Sequence, residues 1–205
     1  MKITSKGGRR YYTHDGKKYP SITTVLSILN KDAIMRWRAR VGEAEANRIS
    51  SESLKVGRHL HRRIEEHLQS KQAGSPSDEE DGRAVRLLDG MMPDLDRIGN
   101  IRALELPMYS SGLGVAGTTD CIADFDGSPC VIDFKNSRRP KTEEYAYPYY
   151  LQAAAYSHMW EEQTGERIDD LCIIIGVWDD TPQVLQASRS DYTRDLLDVI
   201  RRFNE

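Results

Sequence analysis

Residues 117–137 read GTTDCIADFDGSPCVIDFKNS, two runs that mirror each other around Asp126-Gly127. Asp-Gly between apolar, alternating segments is a strong signal for a two-residue hairpin turn, so CIADF and CVIDFKNS are expected to be paired strands. Side chains alternate along a strand, which sets Asp133 and Lys135 on one face and Ile132 and Phe134 on the other. Asp120 lies six residues before Asp126 and Asp133 six after Gly127, so the hairpin would make the two carboxylates cross-strand neighbours. Carboxylates held that close repel unless a proton is shared or a cation joins them. By itself an Asp-x-Lys pair is equally a salt bridge at a sheet margin, and Asp15-Gly16-Lys17 repeats the spacing inside a turn.

Working outward, RRYYTHDGKKYP (9–20) predicts a short hairpin turning at Asp15-Gly16. Ser21 can cap a short helix over SITTVLSIL. A second helix is expected from Asp32, with Ile34, Trp37, Val41 and Ala44 at helical spacing. A third, about Ser51 to Gln69, carries Leu54, Leu60, Ile64 and Leu68. QAGSPS then reads as a loop, and Asp78 to Ile98 as a helix broken or bent near Gly90 and Pro93. Strands follow over IRALELPMYS, LGVAGTTDCIADFDG and SPCVIDFKNS, then a helix over about Thr142 to Gln163, strands over LCIIIGVWD and PQVLQAS, and a helix over Asp191 to Phe203. This order predicts an α/β (α+β) fold with helices packed on a mixed sheet.

At 205 residues the chain fits one domain. No run approaches the roughly 18 apolar residues of a membrane span, and MKITSKGGRRYY lacks a secretory h-region; an intracellular, cytoplasmic protein is expected, in the host cytoplasm if a phage encodes it. Cys121, Cys130 and Cys172 sit in strand-like segments without C-x-x-C spacing and read as buried thiols. The net charge of −3 does not announce a nucleic-acid binder, but its distribution is uneven. Basic residues, among them Arg36, Arg38, Arg40, Arg58 and Arg62, gather between Lys31 and Arg63, and Arg138, Arg139 and Lys141 follow the Asp133 strand; acid concentrates in SDEED (77–81). A basic groove on such a molecule can hold a polyanion, although each cluster also fits a solvated helix face.

A hard divalent ion would join Asp120 and Asp133 economically: Mg²⁺ or Mn²⁺ takes one or two carboxylates, water and phosphate oxygens. Lys135 would then serve the attacking water or offset charge on a phosphoryl transition state. In GRHLHRRIEEHL, His61 and Glu65 share a helix face and can add ligands, with Gly57 leaving room for backbone or substrate. Tyr145, Tyr149, Gln152 and Tyr156 form one stripe on the helix after Lys135; core filling is the alternative, but a buried amide such as Gln152 requires partners.

Together VIDFKNS, the upstream GTTD, GRHLHRRIE and YPYYLQAAAYSHMW resemble the PD-(D/E)xK nuclease superfamily, in its RecB-like exonuclease branch. YPSITTVLSIL is similar to the N-terminal segment of mitochondrial and bacteriophage exonucleases of that branch. The match runs from about Tyr19 to Trp160. It implies a restriction-endonuclease-like core and Mg²⁺- or Mn²⁺-dependent cleavage of DNA, on single strands or ends, with replication or recombination proteins as partners. It implies His61, Asp120, Asp133 and the Phe134 carbonyl as metal ligands, Lys135 as the catalytic lysine, Gln152 and Tyr156 as the branch's Q-x-x-x-Y pair, and Glu65 as a supporting acid. Three cysteines are too few for the iron-sulfur cluster of some relatives, so none is expected. One nuclease domain would comprise residues 1–70, the hairpin, a helical arch or lid and the first motif helix, and 71–205, the core. Arg36, Trp37, Arg38, Arg40, Arg58 and Arg62 on the arch side, with Ser137, Arg138, Arg139 and Tyr149, would bind DNA. A structure-selective endonuclease or a non-catalytic DNA-binding subunit are the alternatives.

Overall fold

The computed structural model describes residues 1–70 and 82–205; the expected QAGSPS loop, the SDEED run and the start of the Asp78 helix lie mostly or wholly outside them. Three short strands open the chain, β1 (Lys2–Lys6), β2 (Arg9–His14) and β3 (Lys17–Pro20), in an antiparallel sheet. The loops Gly7-Gly8 and Asp15-Gly16 have positive φ at both residues. That is the backbone a two-residue hairpin needs to match strand twist. β1 escaped the sequence reading because all five residues of KITSK are exposed, so no burial period marks it.

Helix α1 (Ile22–Val41) starts where expected, with Ser21 Oγ accepting from Thr24 N–H at 3.1 Å. It is one helix where two were expected. No glycine or proline interrupts it before Gly42, which ends it at a φ of +84°. Helix α2 (Glu43–Ser70) starts eight residues earlier than the predicted Ser51, with Glu43 and Glu45 in its first turn, where acids favour the helix dipole. Val56, Leu60, Ile64 and Leu68 form its buried face, whereas Leu54, expected on that face, is 69% exposed. Helix α3 (Gly82–Leu95) continues through Gly90 and Pro93 and ends two residues later.

β4 (Ile98–Ser110), β5 (Val115–Phe125), β6 (Ser128–Ser137), β7 (Asp170–Val177) and β8 (Gln183–Ser188) form one five-stranded sheet in chain order. All neighbours are antiparallel except β6 and β7, which run parallel because α4 (Glu143–Thr164) crosses between them. Asp126-Gly127 makes the predicted two-residue turn, pairing Phe125 with Ser128.

Two apolar layers sandwich the sheet. On one face Ile122, Val131 and Ile173 pack with α1, α4 and α5 (Arg189–Asn204), through residues such as Val25, Leu151 and Leu196. On the other, Cys121, Ile132, Phe134 and Ile174 meet α2 and α3, through Leu60, Ile64 and Leu88. All three cysteines are buried and free, as expected. The N-terminal sheet docks by Tyr12 and Tyr19 against Ala116, by a bridge from Ser21 to Ala116, and by a 3.0 Å hydrogen bond between the Tyr12 and Thr118 hydroxyls. No helix among the described residues is long and apolar enough to cross a membrane.

Candidate active site

The sheet forks at the two aspartates. β5 and β6 pair from Phe125–Ser128 up to Cys121–Ile132; the next step would be Asp120 against Asp133, and there the ladder stops. β5 continues along β4 to Val115, while β6 continues along β7 to Ser137. In the opening, Asp120 Oδ2 accepts the Phe134 backbone N–H at 2.8 Å. A side chain thus takes over the backbone bond that the parting strands give up, which satisfies a buried donor and fixes the carboxylate.

His61 reaches this fork from α2. Its Nδ1 lies 3.6 Å from Asp120 Oδ1 and 3.7 Å from Glu105 Oε1, and its ring meets the Phe134 ring edge-on. His61, Glu105 and Asp120 each offer a ligand atom, all within 4.8 Å of one another. Burial lowers the His61 imidazole's affinity for a proton, but the Asp120 and Glu105 carboxylates outweigh it and leave the pKa raised.

Glu105 was absent from the sequence-derived set. It sits in β4 between the pairs Leu104–Cys121 and Leu106–Thr119, hence opposite Asp120, at a φ of +45°. That backbone region is rarely occupied by a residue with a side chain, and such strain concentrates at functional sites. The signal in sequence was register: a turn around Gly112 would have completed a row Glu105, Asp120, Asp133.

Asp133 is fully buried and forms an ion pair with Lys135. Its Oδ2 meets the Lys135 ammonium, its Oδ1 has no hydrogen-bond partner among the described residues, and it does not belong to the three-residue cluster. Burial is the main cause of its raised pKa, about 6, with Lys135 opposing and Asp120 adding to the rise. Burial lowers Lys135, yet Asp133 and Asp120 more than compensate, keeping it cationic. The Tyr149 ring lies 5.4 Å from Lys135 Nζ.

Along α4, Gln152 and Tyr156 are buried and bonded, Gln152 Nε2 donating to Tyr156 Oη at 3.1 Å. Tyr156 packs on Gly117 so closely that a Cβ there would lie 2.6 Å from its ring. The glycine of GTTD is therefore a steric requirement of the Q-x-x-x-Y tyrosine. Tyr145, at the end of the stripe, is exposed instead.

Other expected residues lie further out. Glu65 accepts from Gln69 and stands outside the cluster, whose third member is Glu105. The room beside Gly57 is taken by Asn136, whose Oδ1 would be 2.9 Å from a Cβ at that position. Arg58 lines the same cavity of about 450 Å³ as His61, Asp120 and Lys135. Arg62 pairs with Glu66 at 3.9 Å. Arg36 and Arg40 are exposed on α1 and Trp37 is half-buried, whereas Arg38 is bound to Glu43 and Asn47. Ser137 is turned to its own loop, donating to the Arg139 carbonyl at 2.7 Å. Arg138 is paired with Glu52 and stacked on Trp178, which Arg83 covers as well. Arg138, Arg139 and Lys141 line a second cavity of about 320 Å³ that shares Ser53 and Asn136 with the first.

No family model matches the chain. Mitochondrial genome maintenance exonuclease 1 of Homo sapiens is 26% identical to it over 174 residues, covering 80% of this chain and 50% of the human protein. The chain is similar to the mitochondrial genome maintenance exonucleases. The Mus musculus protein is 29% identical over 146 residues, covering 67% of this chain and 43% of its own length. The chain thus spans half or less of these relatives. A crystal structure of a Eubacterium rectale protein, named as a candidate exonuclease, superposes with a TM-score of 0.51 at 12% identity, over 74% of this chain and 65% of that one; this likeness concerns the fold. The expected likeness to exonucleases of the mitochondrial genome maintenance kind is borne out, as is the mixed sheet flanked by helices.

The residues at the fork suit a hard divalent cation. One imidazole and two carboxylates bring ligand atoms within 4.8 Å of one another, and the buried Asp133 carboxylate, paired through Oδ2 with Lys135, has an Oδ1 with no hydrogen-bond partner among the described residues. The carboxylates suit a hard divalent ion, and the imidazole is a ligand for harder and softer divalent metals alike.

Proposed function

We propose that the chain is a Mg²⁺- or Mn²⁺-dependent deoxyribonuclease that digests DNA from ends, with single strands as the favoured substrate. The observation that carries this reading is the convergence of His61, Glu105 and Asp120 within 4.8 Å, beside a buried Asp133–Lys135 pair. The exonuclease names of the similar proteins support a hydrolase over a non-catalytic subunit.

In this reading His61, Glu105, Asp120 and Asp133, with the Phe134 carbonyl, would hold the cation, which would supply Lewis acidity to the phosphoryl group. Hydrolysis forms a bond from a water oxygen to phosphorus and breaks the bond from phosphorus to the leaving sugar oxygen. Lys135 offsets the negative charge that builds on the phosphoryl oxygens and holds a proton close to the reacting atoms. Gln152 and Tyr156 orient the phosphodiester, Tyr149 steadies Lys135, and Glu65 supports the helix that carries His61.

The cavity, about 450 Å³, has room for one or two nucleotides at the reacting centre. Its basic continuation along Arg138, Arg139 and Lys141, with Ser137 at the corner, is a path for the backbone on one side; Arg58 and Arg62 flank the other. Arg36, Trp37, Arg38 and Arg40 on α1 form the arch, where cations follow phosphates and the indole stacks on a base.

End-labelled linear and covalently closed circular DNA, single- and double-stranded, incubated with Mg²⁺, Mn²⁺ or chelator, tests the reading. Metal-dependent loss of linear single strands with circles intact is the expected result. Nicked circles would make the enzyme an endonuclease. Undiminished cleavage by an Asp133→Ala variant would remove the activity from this site altogether.

A further inference from the structure

We infer that Arg10 is a phosphate-binding residue of this site, holding a non-scissile phosphodiester of the substrate strand on the wall of the cavity built by the N-terminal hairpin and the start of α1. The inference rests on the nuclease reading and adds to it an element that the basic-helix pattern did not contain.

Arg10 is on β2, two residues from Tyr12 and so on the same face of that strand. Tyr12 is buried, with its hydroxyl bonded to Thr118 of β5 at 3.0 Å, so this face is the one pressed onto the main sheet. Arg10 accordingly lines the cavity that also contains Asp120, Glu105 and Lys135. Its backbone is held at both polar groups. The N–H donates to Thr24 Oγ1 at 3.0 Å, and the carbonyl accepts from Ser21 N–H at 2.8 Å. Beside it the Ser21 and Thr23 hydroxyls line the same wall.

The guanidinium has no ion pair among the described residues, in contrast to Arg97 with Asp126 or Arg102 with Asp124. Arg10 is exposed on the cavity side, so its guanidinium can meet an anion without first giving up an internal partner or paying to strip one away. The opposite wall carries the carboxylates, which repel an anion until they are neutralised. A phosphodiester strand crossing between them therefore gains a charged anchor at Arg10, and the planar fork of donors matches two phosphate oxygens.

The test uses Asp133→Asn protein in chelator, so that nothing is cleaved, and a fluorescent single-stranded oligonucleotide titrated across a range of salt. Adding Arg10→Gln is expected to weaken binding about tenfold and to reduce the slope of log affinity against log salt by about 0.7, the loss of one phosphate contact on a single strand. Arg10→Lys keeps the slope and loses part of the affinity, and Arg202→Gln, on the exposed end of α5, changes neither. The melting temperature of the Arg10→Gln protein should match its parent's. Should that variant fold poorly, Arg10→Met, which keeps the apolar stem without the charge, decides: weaker affinity with a shallower salt slope supports the assignment, and unchanged affinity and slope overturn it. Equal affinity and slope in Arg10→Gln overturn the role of Arg10 while leaving the nuclease reading intact. Absence of any DNA binding by the parent overturns both.

Discussion

Glu105 stands opposite Asp120 across the β4–β5 ladder, with its backbone at a φ of +45° and both carboxylates within 3.7 Å of His61 Nδ1. An acidic residue in the left-handed region of a strand costs about 1–3 kcal/mol. Stability and function are therefore expected to separate at this position. Glu105→Gly should gain about 1 kcal/mol in thermal unfolding of the metal-free protein, because glycine accepts that conformation. It should lose at least about tenfold in Mn²⁺ affinity by calorimetry. Glu65→Gln should leave metal affinity nearly unchanged. Equal Mn²⁺ affinity in Glu105→Gly and wild type would remove Glu105 from the ligand set.

Gly117 and Tyr156 should behave as a coupled pair. Gly117→Ala drives a methyl into the Tyr156 ring and is expected to cost about 1–3 kcal/mol. In a Tyr156→Ala background the same change should cost almost nothing, since the obstructing ring is gone. A double-mutant cycle by urea unfolding reads the difference, and strictly additive losses would show that the crowding relaxes elsewhere.

Metal-free stability should fall as pH rises toward neutrality, relative to Asp133→Asn. Asp133 is raised in the fold, to about 6, chiefly by burial, so the folded state keeps a proton that the unfolded chain releases near pH 4. The associated stability is complete below the ordinary carboxylate range and disappears as pH passes through about 6, an effect on the order of 3 kcal/mol. Thermal melts at pH 4 to 7 measure it. Added Mg²⁺ or Mn²⁺ should restore the loss in wild type and not in Asp133→Asn. Parallel pH curves for the two proteins would contradict the buried, protonated state.

The guanidinium groups of Arg83 and Arg138 lie over Trp178, at 4.0 and 4.4 Å from its ring, and its buried Nε1 has no hydrogen-bond partner among the described residues. Trp178→Phe retains a stacking face and removes the orphan donor, so its stability should lie within about 1 kcal/mol of wild type. Trp178→Ala should lose about 3–5 kcal/mol and, by loosening Arg138 beside the second cavity, weaken DNA binding. A Phe variant as unstable as the Ala variant would mean that the indole N–H is satisfied in solution.

What was legible in the sequence was local. Asp15-Gly16 and Asp126-Gly127 announced their turns because few residue pairs accept positive φ twice in succession, and the second turn carried the pairing up to Cys121–Ile132, one step short of Asp120 and Asp133. Ser21 announced the start of α1, and His61 was on the correct face of α2. Helix lengths were less legible: Asn30 to Asp32 neither caps nor breaks α1, and only the left-handed backbone of Gly42 does. Leu54 fitted the apolar period of α2, but nothing packs over it.

The sequence by itself determined most of the strands, the β5–β6 hairpin register and the start of α1, since turns, caps and side-chain alternation act over a few residues, and it put forward Asp120, Asp133, Lys135 and His61 as candidates. The tertiary structure decided the rest. Glu105 joined the site through pairing across a turn whose geometry local chemistry leaves open. Gly57 and Gly117 proved to be seats for Asn136 and Tyr156, because close approach is a property of packed surfaces. Arg10 faces the same cavity because the hairpin docks through Tyr12 on Thr118. Contacts between residues a hundred positions apart depend on how whole elements stack, and no local period in the chain encodes them.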